Sequence, residues 1–164
     1  MFNSTIAGIS VEFLAGDGTN YKNITLYKTK TQHGKREILK PLCEKIGMPY
    51  DAMGVIFEAK NEKTLYLADD TIWCKEVNET LEKFSPDAIV VNACGATVLN
   101  SERLIMNIDD IEEVLKNAEN ATVIASHMDT VSHLTVTRSD LKDFKNKNNI
   151  DNLLIPEDGE NICI

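Results

Sequence analysis

Histidine is scarce in this 164-residue sequence: only His33, His127 and His133 are present. Every histidine therefore matters to any metal-based reading, and no His-rich tract can be invoked. Basic charge is also short, with 17 Lys and Arg against 26 Asp and Glu and a net charge of −9. This argues against nucleic acid or an anionic membrane as the main partner, since both require basic patches. No apolar run approaches the roughly 18 residues of a membrane span. The stretch Met1-Phe2-Asn3-Ser4-Thr5 lacks the basic region and apolar core of a secretory signal, so a cytoplasmic protein is expected. Phosphate-loop glycines are missing: there is neither Gly-x-x-x-x-Gly-Lys nor Gly-x-Gly-x-x-Gly. Cys43, Cys74, Cys94 and Cys163 form no Cys-x-x-Cys pair, which excludes a zinc ribbon or thioredoxin-type site and predicts buried free thiols in a reducing compartment. Without a secretory signal, the Asn-x-Thr triplets at Asn3, Asn23, Asn78 and Asn120 carry no meaning as glycosylation sites.

What is present is an ordinary globular composition, 43% apolar and 26% charged, in a length that suits one domain. Residues 9–14 and 24–29 alternate apolar and polar, which predicts strands pairing across a Gly16-Asp17-Gly18 turn region. Residues 31–34 read as a polar loop, and 35–45 as a helix shortened or broken by Pro41, with Gly47 closing it. Strands are predicted at 54–58 and 64–67, then a helix at 72–84 ended by Ser85-Pro86. Ala88-Ile89-Val90-Val91 is a continuous apolar run, the pattern of a strand buried on both faces. A helix opened by 108–110 and running over 111–117, a strand at 121–125, a helix from about 137 to 147 and a strand at 153–156 follow. Strands alternating with helices imply parallel pairing through helical crossovers, hence an α/β fold with a mixed sheet.

Chemistry concentrates after strands. Leu65-Tyr66-Leu67 runs into Ala68-Asp69-Asp70, His33 follows the strand at 24–29, and His127 follows the strand at 121–125. In an α/β sheet the carboxyl ends of parallel strands share one edge and converge. Imidazole and carboxylate donors there suit Zn²⁺ or another first-row ion, Mn²⁺ or Fe²⁺ included. A plainer reading stands beside this one: the histidines are solvated loop residues, and Asp69-Asp70 caps the following helix. His133 is placed on the substrate side or behind the ligands. Cys94, in Asn92-Ala93-Cys94-Gly95, is either a nucleophile or part of a small-residue turn, and no surrounding signature supports the nucleophile.

Four stretches together resemble the metallo-β-lactamase-fold superfamily of metal-dependent hydrolases, in its cytoplasmic bacterial branch that groups with ascorbate-6-phosphate lactonase-like enzymes. They are Lys30-Thr31-Gln32-His33-Gly34, Thr64 through Cys74, Pro86 through Gly95, and Ala121 through Met128. The resemblance runs from about residue 20 to residue 160. It implies that Asp70 matches the carboxylate bridging two metal ions, His33 the third histidine of the first site, and His127 a ligand of the second. It also implies catalysis by a metal-activated water, with Asp70 and His127 as catalytic residues. Asp69 stands where that family has glycine.

The family's leading His-x-His-x-Asp-His signature is absent. What the resemblance implies is then the C-terminal half of an αβ/βα sandwich, a single truncated domain over residues 1–164. One ion held by His33, Asp70 and His127, or no metal at all, is the corresponding cofactor expectation. Half a sandwich exposes an apolar sheet face, which predicts a homo-oligomer. The two functional expectations are a metal-dependent hydrolase acting on a small molecule, incomplete or weakly active as this chain, and a non-catalytic oligomerisation or partner-binding domain. A small-molecule-binding α/β domain outside that family is a third.

Overall fold

The computed structural model describes residues 5–6, 9–10, 18–47, 50–98, 102–129 and 132–164. In chain order the elements are β1 (Thr5–Ile6), β2 (Ile9–Ser10), β3 (Thr19–Tyr21), β4 (Ile24–Gln32), α1 (Arg36–Lys45), β5 (Asp51–Ala59), β6 (Leu65–Leu67) and α2 (Lys75–Phe84). They continue as β7 (Ala88–Asn92), β8 (Thr97–Val98), β9 (Glu102–Arg103), α3 (Ile108–Asn117), β10 (Thr122–Ser126), α4 (Arg138–Asn148) and β11 (Leu153–Leu154). Seven strands form one sheet in the order β11-β10-β7-β6-β5-β4-β3. The β6, β7, β10 and β11 strands pair in parallel, joined by α2, α3 and α4, while β3, β4 and β5 add an antiparallel meander. The architecture is the expected α/β fold with a mixed sheet and helical crossovers.

Helix boundaries follow local chemistry. Asn107 with Asp110 and Thr137 with Asp140 form reciprocal capping boxes at the starts of α3 and α4. The α2 helix begins at Lys75 rather than 72, because the Ile72 amide bonds the Gln32 carbonyl at 3.0 Å and so belongs to a loop. Asp69 and Asp70 therefore cap nothing; Cys74 is the N-cap. The β4 strand runs on to Gln32, through residues read as loop, because Thr31 and Gln32 pair with Ala52 and Asp51. Pro41 is accommodated within a continuous α1. Most of the strand expected at 9–14 lies outside the described residues; β3 pairs with Ile24, Thr25 and Leu26 instead. Of the cysteines, only Cys94 is fully buried, Cys163 is exposed, and all four are free.

The two faces of the sheet differ. On one, Ile56, Tyr66, Ile89, Val91, Val123 and Ala125 are sealed under Val77 and Leu81 of α2, Ile111 and Val114 of α3 and Leu141 of α4. On the other, register places Leu154, Ile124, Val90, Leu67 and Val55 in one row across five neighbouring strands. Val55 is buried, but Val90, Ile124, Leu154 and Leu67 are only half-buried. On that second face β7 is fully buried at Ala88 and half-buried at Val90, so the expectation drawn from its continuous apolar run holds in part.

One buried hydroxyl ties the ends of β4 and β6. Thr71 Oγ1 accepts from the Gln32 amide at 3.1 Å and lies within donating distance of the carbonyls of Gln32 (3.1 Å) and Ile72 (3.0 Å). Thr71 is fully buried. Thr71→Val keeps the shape but orphans the Gln32 amide, and should cost about 1–3 kcal/mol in urea unfolding. Thr71→Ser, which keeps the hydroxyl, should cost markedly less. Burial raises the Tyr66 phenol to about 12 from 10.0. The unfolded phenol ionises first, so this contribution to stability is whole below pH 10 and declines as pH rises towards about 12. In urea titrations stability should fall by about 1.4 kcal/mol per pH unit across that window, a loss that Tyr66→Phe abolishes.

Candidate functional site

The β4 strand is antiparallel to β5, which is antiparallel to β6, so β4 runs in the same direction as β6, β7 and β10. Their carboxyl ends share one sheet edge. His33 follows β4, Asp69 and Asp70 follow β6, Asn92 ends β7, and His127 follows β10. The loops are fixed from behind. Ala68 N donates to Val90 O at 3.0 Å and Ala93 N to Ser126 O at 3.0 Å, continuing the parallel pairing past the strand ends. Tyr50 Oη donates to the Gly34 carbonyl at 2.9 Å. Gly34 has φ 78, and a Cβ there would stand 2.6 Å from the Arg103 carbonyl and 2.1 Å from Leu39 Cδ1. The turn that carries His33 therefore requires glycine at its next position.

Asp70 is held by the Asn92 amide, whose Nδ2 donates to Oδ1 at 2.7 Å. Asn92 did not stand out in the sequence, where it read as the start of a small-residue loop. Its position at the end of the strand next to β6 is the signal that identifies it. His127 Nδ1 lies 3.9 Å from Cys94 Sγ. Cys94 is completely buried. Burial pushes its thiol up and the Asp70 carboxylate adds to the rise, while the Ala96 amide opposes it. A buried thiol held in its protonated form is a poor nucleophile, which weighs against Cys94 in that role.

Asp69 and His127 both have left-handed backbone, with φ 62 and 58. The residue in the family's glycine position therefore adopts the conformation that glycine favours. Such conformations in non-glycine residues cost on the order of 1–3 kcal/mol each and gather at functional sites. Much of Asp69 is open to solvent. Even so, the protein around its carboxyl and the adjacent Asp70 charge raise it above the ordinary carboxylate range, while the His33 and His127 imidazoles act in the opposite direction. Asp69 thus feels both imidazoles.

His133 is exposed, and its backbone carbonyl accepts from Thr97 N at 3.2 Å. Among the described residues, no group of three or more His, Cys, Asp or Glu side chains stands close enough together to hold a metal ion. The donors share an edge without forming a ready site. No described helix is long and apolar enough to cross a membrane.

No family model matches the chain. The Bacillus subtilis UPF0173 protein YddR is 40% identical over 152 residues, which cover 92% of this chain and 57% of YddR. The crystal structure of isothiocyanate hydrolase from Delia radicum gut bacteria matches with a TM-score of 0.83 and 34% identity, over 94% of this chain and 60% of that one. A possible metal-dependent hydrolase from Veillonella parvula matches with a TM-score of 0.83 and 38% identity, over 90% and 57%. More distant metallo-β-lactamase-fold structures, at 12% and 16% identity with TM-scores of 0.63 and 0.52, share the fold alone. The chain spans 57–60% of the length of the three more similar proteins. Over 57–60% of their lengths this chain is thus 34–40% identical to a UPF0173 protein, an isothiocyanate hydrolase and a possible metal-dependent hydrolase, and its architecture matches part of the metallo-β-lactamase fold.

Proposed function

We propose that this chain carries part of the metal-binding edge of a metal-dependent hydrolase, with His33, Asp70 and His127 as its donors for Zn²⁺, Mn²⁺ or Fe²⁺. The observation that carries this reading is the common edge: four strands of one direction deliver His33, the Asn92-supported Asp70 and His127 to the same end of the sheet. The backbone geometry of Asp69 and His127 supports it, as does the kinship with metal-dependent hydrolases. The substrate would be a small molecule reaching that edge, in a cytoplasmic setting consistent with four free cysteines.

The described donors do not fit a closed metal site. A catalytic zinc usually takes three protein ligands and a structural zinc four, and no three donors here converge. The isolated chain is therefore expected to bind metal weakly, at most one ion, and to contribute little hydrolysis alone. A second reading, a domain whose role is association rather than catalysis, is favoured by a different observation, the half-buried apolar face of the sheet.

Elemental analysis of chain purified without chelator, followed by zinc titration, tests the donor assignment. Substoichiometric metal, weak binding, and loss of that binding in His127→Ala and Asp70→Ala are the expected results. Stoichiometric metal that survives chelator would overturn the incomplete site. Binding unchanged by either substitution would overturn the donor set.

A further inference from the structure

We propose that Arg138 is a positioning residue for the donor edge: together with the turn at 157–160 it holds the His127–Asp129 loop in place. Its importance to the edge rests on the reading of His127 as a donor, while the clamp itself rests on contacts alone.

The loop needs holding. His127 and Asp129 both have left-handed backbone, with φ 58 and 57, a conformation that residues other than glycine keep where their surroundings enforce it. Met128 between them is 3% exposed and belongs to the core cluster, so it anchors the loop from inside the fold. The outer anchor is Arg138, the first residue of α4. Its backbone amide donates to Asp129 Oδ1 at 3.2 Å, and its Nη1 donates to Asp129 Oδ2 at 3.3 Å. One residue thus grips both oxygens of one carboxylate.

Arg138 has a fixed base. The Thr137–Asp140 capping box sets the first turn of α4. Leu141 is fully buried, and the amides of Thr135 and Val136 both donate to the Cys94 carbonyl at 3.0 Å. The guanidinium is held from its other side as well. Its Nη2 donates to Asp158 Oδ1 at 2.6 Å, and Glu157 Oε2 lies 3.5 Å from Nη1. Lys142 pairs with the other oxygen of Glu157. These acids stand on a closed turn, in which Glu157 N donates to Glu160 Oε2 at 2.8 Å and Glu160 N donates to Glu157 O at 3.0 Å. Asp129 and Asp158 take different nitrogens, so they pin the guanidinium without competing for it. The Arg138 side chain is only 16% exposed, and a partly buried pair is screened less than one on the open surface. Because β10 and β11 are parallel, the loop after β10, the segment after β11 and the start of α4 gather at the end of the sheet that carries the donors.

The scarcity of histidine makes the test direct, since His33, His127 and His133 give three imidazole Cε1–Hε1 signals in carbon-labelled protein. Arg138→Met should shift the His127 signal and leave that of His33 in place, with far-ultraviolet circular dichroism unchanged. Arg138→Lys keeps the charge and the backbone bond but not the fork, and should shift it less. Glu157→Gln combined with Asp158→Asn changes side chains that are 60% and 83% exposed, so the core stays intact. That double variant should shift the His127 signal in the same direction as Arg138→Met. In zinc titrations Arg138→Met should weaken binding by about tenfold. A His127 signal unmoved in folded Arg138→Met overturns the clamp. Should Arg138→Met unfold, an unmoved signal in the double variant overturns it instead. Zinc binding insensitive to His127→Ala would overturn the donor reading, and with it the role of Arg138 at the edge, whatever the signals say of the clamp.

Discussion

A single hydroxyl, buried where β4 and β6 end, decides where the chemistry of this chain can be. Thr71 engages both the amide and the carbonyl of Gln32, and Ile72 adds a backbone bond to the same carbonyl. The β5 strand lies between β4 and β6, so the two loops would otherwise be free of each other. The stitch reaches past β5 and fixes the residue before His33 to the residue after Asp70. It also explains why α2 starts late: residues 72–74 serve as a bridge before they can serve as a helix. Glu76 then reinforces the bridge from the first turn of α2, accepting from Gln32 Nε2 at 2.8 Å and lying 3.7 Å from Arg36.

The alternation of strands and helices was legible because each element carried its own period and its own stops. The helix start at Thr137, the turn at Ser85-Pro86 and the apolar runs of β7 and β10 all stand in the sequence as local signals. Direction was legible too, since helical crossovers impose parallel pairing, and with it the common edge of His127 and Asp70. The extension of β4 was not. Thr31 and Gln32 look like loop residues, and only their partners on β5 make them strand. Nor could a continuous apolar run such as 88–91 tell that Val90 would be only half-buried while Ala88, Ile89 and Val91 are fully buried. Hydrophobicity records what a side chain tolerates, not what covers it.

The site shows the same division. Its residues lie at strand ends, where pattern finds them, but their roles depend on neighbours that are distant in sequence. Asn92 supports Asp70 across 22 positions, and Cys94 approaches His127 across 33. The positive φ of Asp69 was inferable only through the glycine that the resembling family places there. With that backbone, the Asp69 carboxyl shares the local field with Asp70 and two imidazoles, so two adjacent carboxylates of similar sequence context end in different surroundings. Two like charges so close favour any arrangement that brings a cation between or beside them.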